Sequence, residues 1–393
     1  MNQGRIIFAQ LMDHFPKYEF DKLVGQYRAE YHTRQFSCMD QFLAMAFAQL
    51  TGRESLRDIQ MCLGALQSKL YHAGFRGRVT RSTLADANDR RPWQLWADLT
   101  LRLIATARRL YADEDFGVQI EHVAYALDSS VIDLCLSLFP WASFRKTKAG
   151  IKLHTLLDLR GNIPACIVIT PALVHDVNLM DEICKEAGAI YIVDRGYLDF
   201  ARLWRLKLRL AFFITRAKSN TRVRRVASRP VDKASGLICD QDVVLCVAAS
   251  RRDWPEPLRR IVYVDQTTGH RYVFLTNHFE LPALTVARLY KCRWQVELFF
   301  KWIKQHLRIK SFFGTGDNAV RTQIWIAIGV YVLVAILRKR LNLQPSLYSI
   351  LQVLGLTLFE KMPIKAALST IREEDFDSIN IYDAPKQLDL FDL

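Results

Sequence analysis

The hydrophobic and polar positions divide the chain into a helical first part and a second part that mixes strands with helices. In the first part, Ser37 and Ser55 stand where helix N-caps are expected, before apolar runs at residues 39–50 and 56–63. We therefore predict an all-helical domain over residues 1–118. Short helices with interleaved arginines suit a DNA-binding domain, and a plain helical scaffold fits the same pattern equally well.

Beyond this helical part, strand patterns begin to alternate with helical ones. The predicted elements are helices at residues 177–187 and 198–208 and strands at residues 122–127, 151–157, 163–170, 189–193 and 210–215. Three strands followed by alternating helix and strand are the order of a ribonuclease-H-like α/β layer. The pattern therefore predicts an α/β catalytic core of this kind.

A strand-rich stretch interrupts this predicted core, with turns expected at Gly236 and Gly269. It reads as a β-strand insertion, after which Pro282 leads into a further helix. The prediction thus divides the chain into a helical N-terminal domain (1–118), a core in two parts (119–217 and 282–341), a β-rich insertion (218–281), and a helical C-terminal region with an acidic tail (342–393).

The charge of the chain points to a polyanionic partner. The formal net charge is +14 and the sequence pI is about 9.4. Residues 200–231 contain ten Arg or Lys and no acid, whereas residues 372–393 contain seven acids and two bases. A basic stretch that faces nucleic acid and an acidic tail held away from it is the simplest account, and solubility is the alternative.

Cysteine spacing and hydropathy indicate a protein of a reducing compartment. The eight cysteines form no CxxC pair, which argues against a zinc site, and no secretory signal pattern is expected. The longest apolar run, at residues 324–337, is too short to span a bilayer and predicts a buried helix. We expect no membrane partner and a cytoplasmic location.

The most informative pattern is a Y-x2-R-x3-E-x6-K spacing formed by Tyr290, Arg293, Glu297 and Lys304. On a helix these four side chains fall within a stripe of roughly 60°. An acid flanked by basic and aromatic side chains can hold a divalent cation while its neighbours hold DNA phosphates. Taken alone, the stripe fits a solvated amphipathic helix better.

Two aspartates strengthen the catalytic interpretation. Asp128 and Asp194 each follow a predicted apolar strand, which is where open α/β sheets carry their chemistry. With Glu297 they would form three carboxylates that repel one another unless divalent cations neutralise them. Taken singly, each aspartate is more often a strand-end turn or a helix cap.

Asp128-Ser129-Ser130, Asp194-Arg195-Gly196-Tyr197 and the helical stripe together resemble the three catalytic segments of insertion-sequence-4 family DDE transposases of the hairpin-forming type. The helical head resembles one subgroup of that family, so the likeness extends over nearly the whole chain to about residue 341. It implies that Asp128, Asp194 and Glu297 ligate two Mg²⁺ ions, with Mn²⁺ as a substitute. It also assigns DNA contacts, which involve Tyr290, Arg293, Lys304, Arg195, Trp294 and Tyr272.

Among these contacts, the two aromatic positions carry the hairpin chemistry in relatives. Tyr272 matches the position of an aromatic that stacks on a flipped base, although relatives have Trp there. Trp294 matches a second aromatic that probes the opened helix. Ordinary packing in a β hairpin is the more frequent role of a tyrosine such as Tyr272.

The resemblance implies a transposase that binds the terminal inverted repeats of its element as a dimer. Such an enzyme cleaves the ends by two-metal phosphoryl transfer, through hairpin ends, and joins them to target DNA. Two alternatives stay open: a catalytically decayed transposase that acts only as a DNA-binding repressor, and a ribonuclease-H-like nuclease without strand transfer.

The acidic tail carries a separate motif, formed by Gln387, Leu388, Leu390 and Phe391. It resembles the Gln-Leu-x-Leu-Phe peptide by which bacterial replication proteins dock on the DNA sliding clamp. An apolar pocket would take Leu390 and Phe391 while Gln387 bonds at its rim. A last turn that packs back on the body of the protein is an equally good interpretation.

Overall fold

The structure is a computed structural model that describes residues 4–31, 33, 35–145, 147–306 and 312–369. Ser37 and Ser55 cap helices as predicted, because each side chain accepts a hydrogen bond from the backbone amide three residues later. The helices that precede the first strand are α1 (Ile7–Met12), α2 (Lys17–Gln26), α3 (Cys38–Thr51), α4 (Leu56–Ala65), α5 (Gln67–Leu70), α6 (Arg81–Arg90) and α7 (Trp93–Leu110).

The described strands form one ten-stranded mixed sheet. They are β1 (Ala124–Leu134), β2 (Ser143–Arg145), β3 (Lys148–Asp158), β4 (Ile163–Pro171), β5 (Ile190–Val193), β6 (Phe212–Arg216), β7 (Val223–Arg229), β8 (Leu237–Leu245), β9 (Leu258–Val264) and β10 (Arg271–Thr276). Their order is β2-β3-β1-β5-β6-β10-β9-β8-β7, and β4 also pairs with β3. Strands β1, β5 and β6 are parallel to one another, and the other pairs are antiparallel. The chain is therefore a mixed α/β protein.

Strand β1 is longer than the sequence predicts. The strand expected at residues 122–127 continues through Asp128 to Leu134. It does so because β3 remains paired with it along its whole length, whereas the parallel strand β5 stops pairing at Leu127. Asp128 therefore lies within a strand, at the point where its parallel neighbour ends.

The strands after β6 extend the same sheet. Strand β10 pairs with β6, and β9, β8 and β7 follow outward from it. The predicted turns at Gly236 and Gly269 are confirmed, and both glycines have positive φ. That these strands form an insertion into a ribonuclease-H-like core stays a prediction.

The helix predicted at residues 177–187 is wrong in its length. Only the four residues of α8 (Met180–Ile183) are α-helical, after a 3₁₀ turn at Asp176–Leu179. Arg209 donates hydrogen bonds to the carbonyl oxygens of Asp181 and Cys184, so these groups are satisfied without another helical turn. The remaining helices are α9 (Phe200–Leu208), α10 (Ala248–Asp253), α11 (Ala283–Cys292), α12 (Trp294–His306), α13 (Asp317–Arg340), α14 (Leu347–Thr357) and α15 (Ile364–Ser369).

Helix α13 lies at the centre of the protein, which confirms the buried helix predicted from its apolar run. By length and composition it could cross a membrane, but 94% of its apolar window is buried inside the protein. It packs on α3, α6 and α7. A Cβ atom at Gly329 would lie 2.9 Å from the Thr100 hydroxyl oxygen of α7, so the close approach of the two helices requires glycine there.

The tail residues Gln387, Leu388, Leu390 and Phe391 lie outside the described residues. The docking of this tail on a sliding clamp therefore stays a prediction.

Candidate active site

The two aspartates lie next to each other at one edge of the parallel strands. Leu127 of β1 pairs with Val193 of β5, and each is followed directly by an aspartate. Asp194 thus stands at the carboxyl end of β5, beside Asp128 of β1. This is the side of an α/β sheet on which catalytic groups are usually placed.

The Tyr-Arg-Glu-Lys stripe lies on two consecutive helices rather than on one. Helix α11 ends at Cys292 and α12 begins at Trp294, with Arg293 between them in right-handed helical conformation. The bonds from the Arg293 amide to the Tyr290 carbonyl and from the Val296 amide to the Arg293 carbonyl, both 3.1 Å, span three residues. The helical path therefore continues through one tighter turn.

Arg293 joins two of the three predicted carboxylates. One of its terminal nitrogens lies 3.1 Å from Asp128 Oδ2, and the other donates a hydrogen bond to Glu297 Oε1. The arginine side chain is only 13% exposed. Helix α12 packs on β1 and β3, and this packing brings the glutamate to the strand that carries Asp128.

Asp194 has its own basic partner, Arg216, which the sequence analysis missed. Arg216 Nη2 lies 2.9 Å from Asp194 Oδ1, and the Tyr290 hydroxyl donates to the same oxygen at 3.2 Å. Arg216 is the last residue of β6, the parallel neighbour of β5. Like Asp194, Arg216 is a polar residue at the end of an apolar stretch, and this pattern in the sequence identifies it.

Burial and neighbouring charges set the protonation of Asp128. Burial raises its pKa to about 6, and the negative charges of Glu297 and Asp194 act in the same direction. The charge of Arg293 and a hydrogen bond from the Ser129 amide oppose this rise. The carboxylates of Glu297 and Asp194 are therefore close enough to raise the pKa of Asp128.

The neighbouring aspartate shows the opposite shift. Burial acts to raise the pKa of Asp194, but hydrogen bonds from the Arg195 amide and the Arg216 guanidinium outweigh it, and the pKa is lowered. The two aspartates thus have different proton affinities although they are adjacent in the sheet.

Thr155 is a second residue that the sequence analysis missed. It lies directly opposite Asp128 in the β1–β3 ladder. Its side chain is fully buried, and its hydroxyl has no hydrogen-bond partner in the described part of the chain. The sequence offered no signal for it, because register between strands is not visible in a single chain.

Three of the predicted DNA-contact residues, Lys304, Trp294 and Arg195, lie on or next to the elements that carry the carboxylates. Lys304 is half-buried on α12, two turns after Glu297, and Trp294 at the start of that helix is 37% exposed. Arg195 is exposed in the 3₁₀ turn that follows Asp194.

Tyr272 reaches the site only through other rings. It is half-buried on β10 and stacks on Phe274, with centroids 5.8 Å apart and planes 4° apart. Phe274 in turn lies 5.0 Å from the ring of Tyr290. The phenol therefore belongs to an aromatic row that ends at Asp194.

The donor set fits a hard divalent cation, although the described residues do not form a complete metal cage. In the part of the chain that the structure describes, no three His, Cys, Asp or Glu side chains stand close enough together to hold a metal ion. Mg²⁺ is normally bound by one or two carboxylates, with water and substrate phosphates completing its octahedron. Asp128, Asp194 and Glu297 supply only oxygen donors, as this chemistry requires.

Comparison with known protein families gives two matches along the chain. A family profile described as "Transposase DDE domain" matches residues 119–333. A second profile, described as a domain of unknown function (DUF4372), matches residues 3–76. The first match contains all three carboxylates together with Arg216 and Arg293.

Individual relatives agree with the first profile. A protein of Sinorhizobium fredii, named as the transposase y4zB, is 35% identical over 286 residues, which are 72% of this chain and 78% of that protein. A Geobacillus stearothermophilus protein, named as a transposase for the insertion sequence element IS5377, is 30% identical over 57% of this chain and 60% of its own length. The solved structure of a piggyBac transposase synaptic complex with hairpin DNA is 12% identical in sequence and has a TM-score of 0.44. The match covers 96% of this chain and 83% of that one.

Proposed function

The chain belongs to the DDE transposases of the insertion-sequence-4 type, and we propose that it binds the terminal inverted repeats of its own element, cleaves the DNA there and joins the ends to target DNA. The observation that supports this proposal is that Asp128 and Asp194 follow paired positions of adjacent parallel strands, with Arg293 joining Asp128 to Glu297 and Arg216 paired with Asp194. Such a site suits a reaction in which negative charge develops on phosphate oxygens.

The three carboxylates would hold the cofactor. DDE transposase domains generally use divalent metal ions, and we propose two Mg²⁺ ions here, with Mn²⁺ as a substitute. Bound at this site, the ions would lower the pKa of an attacking water or 3′-hydroxyl and neutralise charge on the phosphate. Asp128 and Asp194 would share the task from adjacent strands, with Glu297 facing them from α12.

The basic side chains would hold the DNA. Arg293 and Arg216 already lie against the carboxylates, so a phosphate entering the site would meet both guanidinium groups. Tyr290, Lys304 and Arg195 would contact phosphates further along the transposon end. We further propose hairpin formation at the cut ends, with Tyr272 stacking on a flipped base and Trp294 probing the opened helix.

We propose that the predicted parts of the chain divide this work among them. The helical head (1–118) would bind DNA, the core (119–217 and 282–341) would cut it, and the β-rich segment (218–281) would support hairpin chemistry. Two copies would act together in the end complex, one at each end of the element. The location would be the bacterial cytoplasm, with the DNA of the nucleoid as the partner.

The test is metal-dependent release of an element from a donor plasmid by the purified protein. The proposal expects excised element and joined products with Mg²⁺ or Mn²⁺, and neither product with a chelator. Cleavage without joining would identify a nuclease that lacks strand transfer. End binding without cleavage in either metal would identify a decayed transposase that acts as a repressor.

The hairpin step has a test of its own at Tyr272. Tyr272→Ala is expected to reduce hairpin formation by about 10- to 100-fold and to spare first-strand nicking, because stacking on a base is worth roughly 1–3 kcal/mol. Gel analysis of nicked and hairpin species over time would measure both steps.

Tyr272→Phe is the matched control for this experiment, because it keeps the ring and should keep hairpin formation near the wild-type rate. A Tyr272→Ala variant that loses nicking and hairpins equally would instead assign the ring to packing against Phe274.

A further inference from the structure

The structure separates the ten basic residues of 200–231 into two groups. Three of them, Arg222, Arg224 and Arg225, make no side-chain hydrogen bond or ion pair with any described residue, and all three are exposed. The other seven are engaged by acids or carbonyl oxygens, and they are Arg202, Arg205, Lys207, Arg209, Arg216, Lys218 and Arg229.

The three unengaged arginines lie on one border of the sheet. Strand β7 (Val223–Arg229) is last in the strand order and pairs only with β8 among the described strands. Arg222 directly precedes it, and Arg224 and Arg225 lie within it. A register shift between Arg225 and Ala227 leaves Val226 60% exposed at this border.

The acids nearest in the sheet are already paired with other arginines. On β8, Asp240 binds Arg259 at 2.7 Å and Asp242 binds Arg229 at 2.7 Å. Strand β7 itself contains no acid. The three positive charges are therefore not offset within their own sheet, and a polyanion can reach them without breaking an ion pair.

Charged residues on a border strand have a second possible purpose, which is to prevent pairing with another copy of the protein. One or two charges achieve that. Three arginines within four residues, none of them paired with a described residue, exceed that need and suit the closely spaced negative charges of a nucleic acid backbone.

We propose that this β7 border, formed by Arg222, Arg224 and Arg225, binds the phosphate backbone of duplex DNA at a distance from the cleavage position. The proposal rests on the transposase function proposed above. Five strand-to-strand steps separate β5, which delivers Asp194, from β7. At about 4.8 Å per step this is about 24 Å, or about 7 base pairs of duplex at 3.4 Å each.

The estimated distance between the β7 border and the cleavage position sets the lengths of DNA that the experiment needs. DNA duplexes that contain a transposon end would be made in two lengths, one that stops less than about 7 base pairs from the cleavage position and one that runs well past that distance. The added length would be placed either on the element side or on the flanking side of the cleavage position. Affinity would be measured by fluorescence anisotropy from 50 to 200 mM salt for the wild-type protein and for Arg222→Ala/Arg224→Ala/Arg225→Ala. The side on which the effect occurs identifies which DNA the border holds.

The salt slope is the change in log binding constant per unit of log salt concentration. For duplexes that are long on one side, this slope should be shallower by about 2.7 for the triple alanine variant. The affinity of the wild-type protein should therefore fall roughly 40-fold more than that of the variant between 50 and 200 mM salt. On duplexes that stop short, the two proteins should bind alike. The charge-keeping variant Arg222→Lys/Arg224→Lys/Arg225→Lys should retain the wild-type slope, and Lys185→Ala/Lys361→Ala/Lys365→Ala, which removes three exposed charges elsewhere, should retain it also.

Equal slopes for the wild-type protein and the triple alanine variant on every duplex would overturn the proposal. So would a variant that changes self-association in sedimentation runs without changing DNA affinity, because that result assigns the border to blocking strand pairing. Binding is read without cleavage, so a protein that never cuts DNA would refute the transposase proposal while leaving this measurement decisive.

Discussion

Asp128→Asn, Asp194→Asn and Glu297→Gln are each expected to reduce cleavage of element ends by about 1,000-fold or more while leaving end binding nearly unchanged. Each substitution removes one charged ligand of the proposed metal site and keeps the shape of the side chain. Loss of the charge stabilisation that a metal site supplies costs several kcal/mol in the transition state, and each 1.36 kcal/mol is tenfold in rate. Single-turnover cleavage assays beside gel shifts would measure both quantities.

Glu256→Gln provides the control, because this carboxylate is ion-paired with Lys207 and is half exposed at the surface. Its cleavage rate should equal that of the wild type. Any one of the three active-site variants that keeps more than about a tenth of the wild-type rate would remove its residue from the proposed metal site.

Arg293→Ala is expected to lower the free energy of unfolding at neutral pH by about 2–4 kcal/mol. Breaking a buried ion pair from one side costs about 3–5 kcal/mol because the remaining charge is left unpaired, and the partial exposure of Asp128 and Glu297 reduces that figure. Arg5→Ala removes an exposed arginine paired with Asp13 and should cost less than about 1 kcal/mol. Denaturant unfolding of both variants beside the wild type would compare them.

The loss caused by Arg293→Ala should depend on pH in a defined direction. The folded-state pKa of Asp128, about 6, lies above its ordinary value. Proton binding therefore favours the folded state below the ordinary pKa, and this contribution is lost as pH rises through 6. Without Arg293 the charged carboxylate is costlier still, so the destabilisation should be larger at pH 7.5 than at pH 5. An equal loss at both pH values would show that the interaction of Arg293 with Asp128 contributes little to the stability.

The sequence predicted that the two candidate aspartates follow apolar strand residues, but it did not predict the local structure at both of them. Asp194 could be found because a fully apolar strand ends immediately before it. Asp128 was also found, but its strand does not end there, since the antiparallel partner β3 continues beside it. A partner strand is a tertiary feature, so the end of a strand cannot be read from its own residues alone.

The sequence could not show which charged side chains pair with each other in the folded protein. Arg216 and Arg225 belong to the same basic stretch, yet one lies against Asp194 and the other is exposed at the border of the sheet. The partner of Arg293 could not be read from the sequence either, because Asp128 is 165 positions away along the chain. The residue type determines the charge, whereas the fold determines which charges form ion pairs within the protein and which are exposed to solvent.

The burial of α13 determines how this protein can be dissected. The match to the transposase domain covers residues 119–333 and ends inside this helix, which packs on α3, α6 and α7. A fragment cut to those limits would lose the rest of the helix and uncover an apolar surface that the head normally covers. Helix α7 of the head also packs on strand β4 of the sheet, so we expect the head and the sheet to unfold together rather than as separate domains.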